Sequence, residues 1–101
     1  MTQNPSETVV RYYASWSGYS IPFKPKREIS FEETKVLPTY YIAHFRGANL
    51  VQFQKYCDGE LEWTDRYTYW PDRRHLQKRT MTKASGEQTI QQFDERGNLK
   101  E

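Results

Sequence analysis

A chain of 101 residues has room for one domain, and a domain of that size buries only about two-thirds of the surface its unfolded chain exposes. Fifteen Lys and Arg against thirteen Asp and Glu leave a net charge of +2, too small by itself to imply a nucleic-acid or membrane-surface partner. The single cysteine, Cys57, cannot form an internal disulfide, and apolar runs of a few residues fall far short of the roughly twenty that a membrane helix needs.

Sixteen aromatic residues outnumber the thirteen Val, Ile and Leu, so rings must supply most of the buried area. A mean hydropathy of −1.02 would fit a disordered chain, but the aromatic density argues for a fold, and for a pleated one. Only residues 1–8 and 97–101 lack pattern; they are expected to be a disordered N-terminus and a frayed C-terminus around a single domain at 9–96. No charged-then-apolar leader opens the chain, so the expected compartment is the reducing cytoplasm.

In chain order, Val9 to Ser17 carries aromatics in both alternating sets, as a strand covered on both faces would. The glycine and prolines of Ser17 to Lys26 then predict an extended loop that buries Ile21 and Phe23 while Lys24, Lys26 and Arg27 stay in water. Ser30-Phe31-Glu32-Glu33 fits a capping box, and Pro38 limits the helix to a turn or two.

From Thr39 the period is two, and an aromatic, a short polar or Gly-containing stretch and a Leu recur at Phe45 to Leu50, Tyr56 to Leu61, Tyr69 to Leu76 and Phe93 to Leu99. With Gly47-Ala48 and Asp58-Gly59 as two-residue turns, Phe45 opposes Leu50 and Tyr56 opposes Leu61. Uninterrupted alternation then puts Tyr41, Ala43, Phe45, Leu50, Gln52, Gln54, Tyr56, Leu61, Trp63, Asp65, Tyr67 and Tyr69 on one face. The same register brings Lys55 to Glu62. A longer connection, Trp70 to His75, and a turn at Ser85-Gly86 add Lys78, Thr80, Thr82, Thr89, Gln91 and Phe93 to that face. The expected fold is mainly β: an antiparallel β-meander of five or six strands with one short helix and a covering N-terminal loop.

Phe93-Asp94-Glu95-Arg96-Gly97-Asn98-Leu99 resembles the aromatic-Asp-x-x-Gly-x-Leu pattern of YD repeats, the hairpins of Rhs-type proteins, with weaker copies back to Phe45. Over nearly its whole length the chain is also similar to a family of small uncharacterised bacterial proteins, through Arg11-Tyr12-Tyr13, Glu32-Glu33-Thr34, Thr39-Tyr40-Tyr41, Gly59-Glu60-Leu61 and Tyr67-Thr68-Tyr69. That resemblance implies a bacterial origin and supplies no catalytic residues.

Three potential soft ligands, His44, His75 and Cys57, do not make a metal site, and no Gly-rich strand-to-helix turn accompanies Cys57 as a nucleophile would need. No catalytic residue, metal or cofactor is expected. Asp65 stands out, a carboxylate among Trp63, Tyr67 and Tyr69, with Gln52 and Thr80 expected to donate to it. Its plainest role is in a satisfied polar cluster. The sharper expectation is a noncatalytic recognition surface of Tyr41, Gln52, Gln54, Trp63, Asp65, Tyr67 and Thr80, with Gln91 beside them, meeting a protein partner or a second copy of the chain. One alternative is single-stranded nucleic acid, favoured by the bases in residues 71–83 but opposed by Lys78 pointing away from Arg79 and Lys83. A second is an enzyme with an unrecognised site.

Overall fold

The computed structural model describes residues 8–18 and 21–100. Residues 1–7, most of the expected disordered N-terminus, lie outside the described residues. The chain order is β1 (Thr8–Ser17), β2 (Lys24–Ile29), α1 (Phe31–Thr34), β3 (Thr39–Arg46), β4 (Asn49–Cys57), β5 (Glu60–Tyr69), β6 (Leu76–Lys83) and β7 (Gln88–Gln92). All seven strands form one antiparallel sheet in the order β2-β1-β3-β4-β5-β6-β7, open at both edges. From β3 to β7 the meander is as expected, but β3 lies beside β1 and not beside β2, so the chain crosses β1 between them. The additional strand is β2: Pro25 has no N–H to give a ladder, but at an outer edge none is needed, so part of the expected loop pairs with β1.

Each aromatic-to-Leu device closes a hairpin or turn. Phe45 pairs with Leu50, Tyr56 with Leu61, Tyr69 with Leu76, and Phe93 bridges Leu99. Gly47 alone is left-handed in the first turn (φ 61°), whereas Asp58 (φ 52°) and Gly59 (φ 82°) both are in the second, the requirement of a type I′ turn. At the last hairpin the loop is Ala84 to Gly86, with Lys83 donating to the Glu87 carbonyl; Ala84 is therefore not opposite Glu87, and Thr82 pairs with Gln88.

Immediately after the Leu, three of the returning strands carry an extra residue. The register slips between His44 and Phe45 against Val51, between Lys55 and Tyr56 against Glu62, and between Thr68 and Tyr69 against Gln77. Each β-bulge reverses the faces of everything beyond it. The first bulge moves Gln52, Gln54 and Tyr56 off the face of Tyr41, correcting the expected alternation. The second restores Trp63, Asp65 and Tyr67 to it. The third turns Thr80 away and brings in Arg79 and Met81.

On the Tyr41 face, Ala43, Leu50, Phe53, Tyr67, Leu76 and Phe93 form the buried core. Phe23 closes over it, 4.4 Å from Trp16, 6.0 Å from Trp63 and 6.5 Å from Phe53 between ring centroids. The covering segment is thus as expected for Phe23, but Ile21 is exposed. The Ser30 capping box is formed in both directions, with Ser30 and Glu33 exchanging bonds of 3.1 and 3.2 Å. Residues 97–100, expected to fray, return along the sheet: Asp94 N–H donates to the Asn98 carbonyl and Lys100 N–H to that of Gln92.

Candidate functional site

The predicted recognition residues divide between two faces. Tyr41, Trp63, Asp65 and Tyr67 lie on the sealed face beneath Phe23, whereas Gln52, Gln54 and Thr80 lie on the opposite, open one. No single surface presents all seven. Because the aromatic face is occupied from within the chain, it is not the exposed interface expected for a second copy.

Asp65 is fully buried, and its partners are not Gln52 and Thr80. Tyr67 Oη–H donates to Oδ2 at 2.6 Å, and Arg79 Nε lies 2.9 Å from both carboxylate oxygens. Arg79 extends the network through Nη1 to Gln91 Oε1 at 3.0 Å, and its guanidinium lies 4.8 Å from the Phe23 ring centroid. The Phe23 N–H in turn donates to Tyr67 Oη at 3.2 Å. One connected set of hydrogen bonds therefore ties the covering segment to β5, β6 and β7. Burial and the adjacent carboxylate push the Tyr67 phenol far above its ordinary range, so it remains a donor. Among the described residues no buried side-chain nitrogen or oxygen lacks a partner. Such a network, with its buried atoms satisfied, specifies a core.

Aligned registers build rows across the open face. Val10, His44, Gln52, Arg66, Thr80 and Ile90 form one; Tyr12, Ile42, Gln54, Thr64, Thr82 and Gln88 form the next. Beyond them Tyr40 stacks on Tyr56 with centroids 5.4 Å apart. Phe31 of α1 packs on Tyr12 at the β1 corner, and no second layer crosses the rest of this face among the described residues. Arg66 Nε donates to Gln52 Oε1 at 3.2 Å, and Gln54 Nε2 to Thr64 Oγ1 at 3.3 Å. On the Tyr41 side, Lys55 and Glu62 meet at 2.9 Å, though not as the directly opposed pair expected: Lys55 lies opposite Trp63 and Glu62 is the extra residue of the bulge.

The middle of the first row borders a groove whose lining includes His44, Arg46, Gln52, Arg66, Trp70 and Arg73. Its wall is the Trp70 to His75 turn. Trp70 Nε1–H donates to the Asp94 carbonyl at 2.9 Å, fixing the indole, and Tyr69 Oη–H donates to the Leu50 carbonyl at 2.7 Å. Desolvation pushes the Tyr69 phenol up to about 12. Asp72 accepts from the backbone of Arg74 and His75 and from His75 Nδ1 at 2.7 Å. The His75 side-chain bond, reinforced by those amides, holds Asp72 down to about 2. The sequence placed Arg73 in a basic stretch but gave no means of seeing that it joins Arg46 and Arg66.

His44, His75 and Cys57 stand on β3, in the turn and at the end of β4, and among the described residues no three His, Cys, Asp or Glu gather as metal ligands would. The Cys57 sulfur has Thr39 Oγ1 at 3.7 Å and Asp58 Oδ2 at 3.9 Å as neighbours. No described helix is long and apolar enough to cross a membrane.

Fold and site together define a small one-sheet antiparallel β protein, with one face sealed by its own N-terminal segment and the other open. Residues 5–101 match DUF6156, a family of unknown function, and the chain belongs to that family. The match does not confirm the likeness to YD repeats. Neither the curated proteins nor the solved structures compared with the chain gave a match.

Proposed function

We propose that this protein is a noncatalytic binding module whose working surface is the open sheet face. The asymmetry between the faces carries the proposal. On one side the aromatic and ionisable groups are mutually engaged, from Phe23 through Tyr67 and Asp65 to Arg79 and Gln91. On the other, an array of Tyr40, Ile42, Gln54, Tyr56 and Arg66, with exposed Val10 and Ile90, offers stacking, amide and cationic contacts. Of the predicted recognition residues, Gln52, Gln54 and Thr80 belong to that array, while Tyr41, Trp63, Asp65 and Tyr67 build the platform beneath it.

The test is to screen ligands by thermal shift and to map every hit by amide chemical shifts. Hits that perturb the rows of His44, Gln54, Arg66 and Thr80 support the proposal. Hits that map to Trp63 and Asp65, or turnover of a bound compound, would overturn it.

A further inference from the structure

The groove at the end of the open face has an unbalanced charge. Arg46, Arg66 and Arg73 all line it, all are exposed, and among the described residues no acidic one belongs to its lining. The ion pairs of the described residues engage Arg11, Lys35, Lys55, His75, Arg79 and Lys83, and none engages these three arginines. Guanidinium groups brought together without a counter-charge repel one another, and an anion bound between them removes that repulsion.

Two local arrangements favour a ligand over a merely solvated patch. Gln52 Oε1 takes up the Arg66 Nε–H, which orients the guanidinium while its two terminal nitrogens have no protein acceptor among the described residues. Those terminal groups are the planar fork that grips a phosphate through two parallel bonds. In the wall, Asp72 is the acid nearest in sequence to Arg73, and it is committed to Arg74 and His75 within its own turn. Arg73 itself sits at the groove with left-handed backbone (φ 60°), closed by its N–H to the Trp70 carbonyl at 2.8 Å. A side-chain-bearing residue rarely adopts that conformation without a reason in its surroundings.

Building on the binding role of the open face, we infer that this groove is a site for a small diphosphate-bearing anion, held by Arg46, Arg66 and Arg73 with His44 and Gln52 as polar neighbours. Three cations ask for about three negative charges, and a single phosphate monoester carries only about −1.5 to −2 near pH 7. The ligand is small because the basic groups stop at this end. Beyond them only Lys78, opposite Thr68, adds a cation; the next rows are neutral at Gln54, Thr64 and Thr82, and the far β4–β5 hairpin carries Asp58, Glu60 and Glu62, so among the described residues no basic stripe runs the length of the face for a long nucleic-acid backbone.

The experiment titrates the wild-type chain with inorganic pyrophosphate, with ADP and with a short oligothymidylate, by calorimetry and amide shifts at low and moderate salt. Arg66→Gln and Arg73→Gln are compared with Lys26→Gln, a change on the far β2 edge. Saturable one-to-one pyrophosphate binding is expected, weakened by salt, perturbing Arg46, Arg66 and the Trp70 to His75 turn. Each groove variant should lower affinity about tenfold or more, and Lys26→Gln should not. ADP binding more tightly than pyrophosphate assigns a nucleotide-borne diphosphate; equal binding assigns the free anion.

Absence of saturable binding at low salt, or affinity unchanged in Arg66→Gln, would overturn the site. So would an oligothymidylate that binds far more tightly and perturbs Tyr40 and Tyr56. Hits from the ligand screen that map to the open face while pyrophosphate does not bind would remove the anion site and leave the binding module standing. Perturbations confined to Trp63 and Asp65 would remove both.

Discussion

The two faces of this sheet are made by alternate residues of the same strands, yet they treat polar groups in opposite ways. On the sealed face Asp65, Tyr67, Arg79 and Gln91 bond to one another and to the Phe23 backbone, under a ring that excludes water. On the open face Arg66 is held through one nitrogen, and Arg46 and Arg73 have no carboxylate among the described residues. The contrast separates the scaffold side from the proposed binding surface without appeal to residue type, since arginine and glutamine occur on both sides. What differs is whether each donor already has its acceptor.

The largest expected effect comes from breaking the sealed side. Arg79→Ala leaves the Asp65 carboxylate buried and unpaired, and should cost about 3–5 kcal/mol of unfolding free energy, read from the urea midpoint. A companion Asp65→Leu/Arg79→Met variant should regain most of that loss, because it leaves no isolated charge behind. Phe23→Ala removes the cover from Trp63 and Phe53. Phe23 is only half-buried, so a loss of about 2–3 kcal/mol is expected, below the range for a fully enclosed ring, with new dye binding to the uncovered aromatic face.

Smaller changes sharpen the comparison. Tyr67→Phe deletes the hydroxyl that donates to Asp65 and accepts from Phe23 N–H, and should cost about 1–2 kcal/mol while keeping the ring in place. The Asp72 turn supplies a pH signature on the open side. Its carboxyl titrates lower in the folded chain, at about 2, than its ordinary value of 3.8, so the folded state gains stability above that ordinary value and loses it as the pH falls toward 2. Amide shifts of Arg74 and His75 should follow this window, and Asp72→Asn should abolish the dependence. Smallest of all, Arg66→Gln should change stability by less than about 0.5 kcal/mol, because its one side-chain bond is exposed. A large loss there would make Arg66 part of the scaffold and blur the distinction between faces.

Much of the fold was legible from the chain alone because its signals are local. The capping Ser30, the Asp58-Gly59 turn and the aromatic-to-Leu pairs act within a few residues, and each has its expected partner. Lys55 and Glu62 also meet, although the bulge at Glu62 sets Lys55 opposite Trp63. The candidate site was only half legible. Trp63, Asp65 and Tyr67 do share a side with Tyr41, although two compensating bulges lie between them. Gln52 and Gln54 fall between those bulges and Thr80 beyond the third, so all three face the other way.

Alternation and turn chemistry were enough to specify an antiparallel meander, its hairpins and a ring-based core. A bulge inserts one unpaired residue without a distinctive composition: Val51, Glu62 and Gln77 have nothing in common as side chains. It is chosen by the twist that lets neighbouring strands wrap the aromatic core, a property of the assembled sheet. Tertiary structure therefore decided which side each polar residue serves, gave Asp65 to Arg79 rather than to Gln52 and Thr80, and brought Arg46, Arg66 and Arg73 from two strands and a turn into one groove.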